Sequence, residues 1–255
     1  MNETAKRYAI ITPYFKEERH LLERCIRSVH AQTHPADHFM IADGHPQSWI
    51  DSERVRHIKL DRSHANFGNT PRAVGAVMAS SEGYDGIGLL DAENWLESDH
   101  VASCIEAAER SELCDYVIAQ RNMYRPDGSL LDVKDESLRT LVDTNCFFLL
   151  PGSYHVIPHF GLTPNELSPV CDRVFAFALR ERHLQAEIVD RKTVNYLCLW
   201  AGPYRKAGEI PPPEANHNLD SGEILRWLQA QSPRELEVSF RLAGCTINFP
   251  KSGSE

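Results

Sequence analysis

The tightest constraint on this chain lies in residues 86–100, GIGLLDAENWLESDH. The apolar run at its start is too short and too uniformly apolar for an exposed helix, and it reads as a buried parallel strand. Asp91 and Glu93 follow at once, with Ala92 between them, so two carboxylates sit one residue apart just beyond a strand's C-terminal end. In an open α/β sheet that edge is where ligands bind. Two oxygen ligands held this way suit a hard divalent cation, which would neutralise a diphosphate. Asp and Asn are also common turn formers, and Ser98-Asp99 starts a helix well, so the stretch taken alone reads first as a turn.

The rest of the chain repeats the pattern of strand, loop and helix. Residues 8–12 (YAIIT) form a compact apolar strand ended by Pro13. Residues 17–32 place Leu21, Leu22, Cys25, Ile26 and Val29 on one helical face. Residues 39–42 are a second strand, terminated by Asp43-Gly44. Strand, helix, strand at this spacing implies a right-handed crossover and parallel pairing, which brings Tyr14 and Asp43 to the same edge as Asp91. Residues 56–60 (RHIKL) are a third strand. In the helix that follows, Thr70 is the expected N-cap, Pro71 takes the first helical position, and Val74, Val77 and Met78 face inward. Arg72 then lies in the first turn, beside N–H groups that favour an anion; a solvated surface arginine fits the spacing as well.

Further on, residues 98–110 read as a helix and 116–119 as a strand. Residues 125–129 read as a turn between antiparallel strands, 144–150 as a buried strand and 159–169 as a loop. A helix from Ser168-Pro169 to Arg182 carries Asp172 in its first turn, where the helix dipole by itself favours an acidic residue. Strands at 187–190 and 193–199 precede a long mobile loop over 207–220, then an amphipathic helix at 222–230.

At 255 residues the chain can hold one large α/β domain with a small appendage. A formal net charge of −9 excludes a broad nucleic-acid-binding surface. It also requires that a phosphorylated ligand be met by local positive charge, from a metal or a few arginines. The seven cysteines are scattered without C-x-x-C spacing and read as reduced core thiols. No secretory leader and no run of membrane-spanning length is read. The expectation is a cytoplasmic protein, with peripheral attachment to the inner face of a membrane and homo-oligomerisation both left open.

With these elements placed, the order of motifs resembles a family 2 glycosyltransferase of the GT-A fold, from about residue 8 to about residue 199. IITPYFKEERHLLERCIRSVHAQTHPADHFMIADG is similar to the family's opening strand, P-x-Y/F loop, Q-T-ended helix and Asp-ended second strand. NFGNTPRAVGAVMASSEGYDGIGLLDAENWL is similar to its glycine-containing loop, arginine-bearing helix and D-x-D strand end. SPVCDRVFAFALRE is similar to the helix with the acceptor-side carboxylate.

The resemblance implies an α/β fold with a mostly parallel central sheet and helices on both faces. A nucleotide-sugar-binding half over 1–121 and an acceptor half over 122–205 would be followed by an appendage over 206–255. It implies that Thr12, Pro13 and Tyr14 line the nucleobase pocket, that Asp43 accepts a hydrogen bond from the base, and that Arg72 contacts the nucleotide. Asp91 would contact ribose or metal, Glu93 would bridge the metal to the diphosphate, and His217 would come down onto the metal from its loop. Asp172 would be the general base. The implied cofactor is Mn2+ or Mg2+, the implied donor a UDP-sugar, and the implied acceptor a hydroxyl of a carbohydrate or lipid-linked molecule, attacked with inversion. The strand end reads DAEN rather than the commoner D-x-D-D, and Cys171 stands where the family often has glutamate. These departures motivate an alternative, a nucleotide-sugar-binding protein that regulates or assembles without transferring. A nucleotidyltransferase would need a glycine-rich loop after the first strand, and TPYFKEER has no glycine.

Overall fold

A computed structural model of the chain describes residues 5–133, 142–216 and 221–246. Three parallel strands open the fold: β1 (Tyr8–Tyr14), β2 (Asp37–Ala42) and β3 (Arg56–Lys59). Helix α1 (Arg19–His30) joins β1 to β2 and buries Leu22, Cys25, Ile26 and Val29. β1 runs two residues further than its sequence suggests. Pairing with β4 (Gly86–Leu89) stops at Ile11↔Leu89, while pairing with β2 continues through Pro13↔Ile41 and Tyr14↔Ala42. The nitrogen of Pro13 points to the side where β1 has no further partner, so the missing N–H breaks no ladder bond.

Helix α2 (Asn69–Ser81) covers the opposite face, and here the expected details change. The helix begins before Thr70, with Gly68 as N-cap, and the side chain of Asn66 accepts from Thr70 N at 3.2 Å. The buried face is the small-residue one: Ala73, Ala76 and Ala79 are buried whereas Val77 is 40% exposed. The reason is proximity. A Cβ on Gly75 would lie 2.6 Å from Ile41 Cδ1 and 2.8 Å from Ile11 Cγ2, so the helix rests directly on the apolar side chains of β1 and β2, and only a stripe of glycine and alanine fits.

The second half contributes β5 (Trp95–Leu96), α3 (His100–Ala108), β6 (Cys114–Tyr124), β7 (Phe147–Leu149) and β8 (Gln185–Leu197). They complete an eight-stranded sheet of order β3-β2-β1-β4-β7-β6-β8-β5. Pairing is parallel from β3 through β4 and between β6 and β8, and antiparallel around β7 and at β5. The expected strands at 187–190 and 193–199 are one strand. It absorbs the polar Asp190-Arg191 as a bulge of its own, since Ile118↔Ile188 is followed by Gln120↔Lys192 and pairing with β6 then resumes. Residues 144–146 are a 3-10 turn rather than strand, and only Phe147–Leu149 pairs. The expected loop over 159–169 contains α4 (Pro158–Leu162) and a 3-10 turn over Asn165–Val170. Phe160 of α4 stacks on Phe175 of α5 (Cys171–Glu181), with centroids 4.1 Å apart.

Beyond β8 lie α6 (Ala201–Lys206), α7 (Ser221–Ala230) and α8 (Pro233–Leu242). The first and last of these were not expected, although Ser232 and Glu235 form a full capping box at α8. The segment after α8 docks on the core: Cys245 is buried, and His159 Nδ1 donates to Leu242 O at 2.8 Å. Among the described residues no helix is long and apolar enough to cross a membrane.

Candidate active site

The C-terminal ends of β1, β2 and β4 open on one cavity of about 590 Å³, lined by Tyr14, Asp43, Arg72, Asp91 and Glu93 on one side. Arg121, Asp143, Asp172, Tyr196 and Trp200 line the other. Pro13 also lines it, but Thr12 corrects the sequence expectation. Thr12 lies two residues inside the strand end, beneath α1, where its hydroxyl lies 2.9 Å from His38 Nε2 and 3.7 Å from Cys25 Sγ, wholly buried. His217 falls outside the described residues; its neighbour Asn216 lines the cavity and bridges back to Trp200.

On the β1–β2 side each polar group has a partner. Tyr14 borders the cavity but is 2% exposed, packed among Leu22, Ile26, Met40 and Ile50, and its hydroxyl lies 2.6 Å from His57 Nε2 and accepts from Gln47 N at 3.0 Å. His57 Nδ1 is 2.7 Å from Asp51 Oδ1. A carboxylate only accepts, so Nδ1 carries the proton and Nε2 accepts from the phenol. Burial pushes the Tyr14 hydroxyl up to about 12, which keeps it protonated. Asp43, 4% exposed, accepts from His64 N at 3.0 Å and from His64 Nδ1 at 2.7 Å.

Arg72 is not the solvated arginine that its spacing also allowed. It is 2% exposed, donates to Asp91 Oδ1 at 2.6 Å and to Asn69 Oδ1 at 3.0 Å, and stands 5.4 Å over the Phe160 ring. Asn145 completes the grip on Asp91: it donates to Oδ2 at 2.8 Å and accepts from the Asp91 amide at 2.5 Å. Asn145 Nδ2 also donates to Asp143 Oδ1 at 2.6 Å, and Asp143 Oδ2 pairs with Arg121 at 2.5 Å. A continuous polar chain therefore runs from Arg72 through Asp91, Asn145 and Asp143 to Arg121, which lies 4.6 Å over the Tyr196 ring.

Two carboxyls are held well above their ordinary range. Burial raises Glu93, and the like charge of Asp91 adds to it. Burial, then the charge of Asp143, raises Asp172 to about 6. The Arg173 amide donates to Asp172 at 2.7 Å and lowers it in part. Burial pushes the neighbouring Cys171 up to about 12, so that position carries a neutral thiol. Asp91 and Glu93 both face the cavity, but among the described residues no three His, Cys, Asp or Glu side chains converge as a ready metal cage. Two carboxylates do fit a hard cation that completes its shell with water and a ligand's diphosphate.

The sequence reading missed Arg121, Asp143, Asn145 and His64. One signal was available: Asp143 precedes Thr-Asn and caps the 3-10 turn by accepting from Asn145 N at 3.0 Å, an Asx turn legible in principle. Arg121, a charge at the exit of the apolar run YVIA, was a second.

No family model and no curated protein matches the chain. Solved structures do. A crystal structure of S. aureus TarS 1-349 in complex with UDP matches with a TM-score of 0.56 at 9% identity, covering 79% of this chain and 63% of that one. TarS 1-349 in complex with UDP-GlcNAc matches with a TM-score of 0.55 at 11% identity, covering 75% and 58%. Against the longer TarS structure the TM-score is 0.54 at 10% identity, covering 78% of this chain and 38% of that one. The chain spans less than two thirds of the length of each of these structures. What it shares with them is the fold, the GT-A-type α/β architecture with its curled, mostly parallel sheet and surrounding helices.

Proposed function

We propose that the chain is a metal-assisted glycosyltransferase that moves a sugar from a nucleoside diphosphate donor, a UDP-sugar, to a hydroxyl of a carbohydrate or lipid-linked acceptor with inversion. The observation that carries this reading is the partition of the cleft. Recognition groups gather at the β1–β2 strand ends, a carboxylate pair stands after β4, and Asp172 faces the same cavity with a pKa near 6. TarS, which shares the fold, is seen with UDP and with UDP-GlcNAc bound.

In this reading Pro13 and Tyr14 form the backing of the nucleobase pocket and Asp43 accepts the base's ring N–H. Arg72, held in place by Asp91 and Asn69, lies beside the nucleotide. Asp91 and Glu93 would hold the divalent ion, which when bound neutralises the departing diphosphate. Asp172 takes the acceptor's proton as its oxygen attacks the anomeric carbon from the face opposite the leaving group. Its raised pKa suits this role, because a stronger base abstracts better yet is still ionised at neutral pH. That raised pKa favours transfer over the alternative of a pure nucleotide-sugar binder, which has no use for a desolvated carboxylate.

Thermal unfolding with UDP, GDP, CDP and ADP, each with and without Mn2+, tests the reading. A ligand at about 100 times its Kd stabilises by roughly 2.7 kcal/mol. The expected result is a metal-dependent rise in midpoint with UDP, abolished in Glu93→Ala; no rise with any nucleotide would overturn the proposal.

A further inference from the structure

The loop between β3 and α2 is built around Asp43. Ala65 and Phe67 hold φ of 51° and 54°, a left-handed conformation that side chains rarely adopt and that persists only where the surroundings impose it. At the other side of the contact, Gly44 has φ 76°, and a Cβ there would lie 2.3 Å from Ser63 N and 2.5 Å from Arg62 C. Only glycine lets the loop pass so close to the end of β2. The consequence is that His64 meets Asp43 twice, through its amide, 3.0 Å from Oδ1 and 3.2 Å from Oδ2, and through Nδ1, 2.7 Å from Oδ1.

These contacts are unequal. Oδ1 receives both the ring and the amide, whereas Oδ2 shares only the longer amide bond and keeps lone pairs for a ligand. A carboxylate can only accept. Uracil presents a ring N–H to such a group; cytosine presents a bare ring nitrogen at the same place, and two acceptors face to face lose both hydrogen bonds.

Resting on the nucleotide-binding reading above, we infer that His64 is a positioning residue that makes Asp43 a one-way acceptor, so that the cleft selects uracil over cytosine. His64 itself touches no base. Its ring occupies Oδ1 and so fixes Oδ2 as the oxygen with lone pairs to offer a ligand. Without it, Asp43 is free to rotate, the hydrogen bond to the uracil N–H weakens, and the discrimination falls.

The test is calorimetric titration of UDP and CDP, in Mn2+, against the wild type, His64→Ala and His64→Asn. The wild type should prefer UDP by at least about tenfold, the effect of one hydrogen bond to a charged group. His64→Ala should lose about tenfold in UDP affinity while CDP changes by less than about threefold, so the ratio falls toward one. His64→Asn, whose Nδ2 stands where Nδ1 stood, should recover the preference. His64→Leu, which keeps bulk without a donor, replaces the alanine variant should that one not fold. An unchanged UDP-to-CDP ratio in the alanine or leucine variant, even with both affinities reduced, would overturn this inference and leave the proposed function standing. Failure of the wild type to bind either nucleotide would overturn both.

Discussion

Two regions of the cleft hold their central side chains differently. On the wall built from β1, β2 and α2, Tyr14, Asp43 and Arg72 each have their partner in the fold: His57, His64 and Asp91. Across the cleft, at the start of α5, Asp172 is desolvated near the charge of Asp143, and the hydrogen bond from the Arg173 amide offsets this only in part. A satisfied group is rigid and reads shape. A group short of partners stores free energy that a reacting proton releases. In the proposed function this difference separates recognition from chemistry.

The largest effect is expected where the chemistry lies. Asp172→Asn should cut transfer by about 10²–10⁴-fold, followed as UDP release with acceptor present, while UDP still raises the melting midpoint. The wild-type rate should climb with pH up to about 6 and level above it, because the base must be ionised. Stability runs the other way. The folded-state pKa near 6 lies above the unfolded value of about 3.9, so this group favours the fold at low pH and that contribution is lost as pH rises through 6. At pH 8 Asp172→Asn should therefore melt higher than wild type, by about 1–2 kcal/mol after allowance for its partial exposure. A variant that transfers normally, or melts lower, would erase the contrast between the walls.

Next in size is Arg72→Ala on the opposite wall, where removing one member of a buried pair strands Asp91. It should cost about 3 kcal/mol and lower the midpoint by about 6–12 °C, with UDP binding lost. A neutral result would mean that this wall is less organised than its contacts indicate. The smallest effect sharpens the comparison. Tyr14→Phe leaves His57 Nε2 and the Gln47 amide without the phenol, which should cost about 1–2 kcal/mol in unfolding free energy. UDP affinity, measured by titration, should change by less than about threefold, because the lost hydroxyl is engaged with His57 and Gln47 inside the fold and the ring that backs the pocket stays. A large loss of affinity would place the hydroxyl itself in the binding site.

Much of the nucleotide-side wall was legible in the chain. Apolar runs ending at Tyr14, Asp43 and Asp91 were visible as strands, and parallel crossovers force such ends to one edge. The failures there are local and physical. The motif assigns Thr12 to the pocket, yet it lies two residues inside the strand end, where α1 and His38 cover it. The buried face of α2 was taken for Val74, Val77 and Met78, whereas close packing selected the smaller residues beside Gly75. On the opposite wall Asp172 was found by its place in a helix, but Arg121, Asp143 and Asn145 were not, since none belongs to a periodic pattern.

The sequence by itself determined the alternation of strands and helices in the first half of the chain and the edge at which their C-terminal ends gather, because hydrophobic periodicity and crossover handedness are local properties of a chain. Only the tertiary structure decided which charge meets which. Arg72 and Asp91 are 19 positions apart, Arg121 and Asp143 are 22 apart, and Asp91 and Asn145 are 54 apart. Nothing in the separation of two residues along a chain says whether folding will bring them within a hydrogen bond. The raised pKa of Asp172 has the same origin, since burial and the approach of Asp143 exist only once β6, β7 and α5 have closed around the cleft.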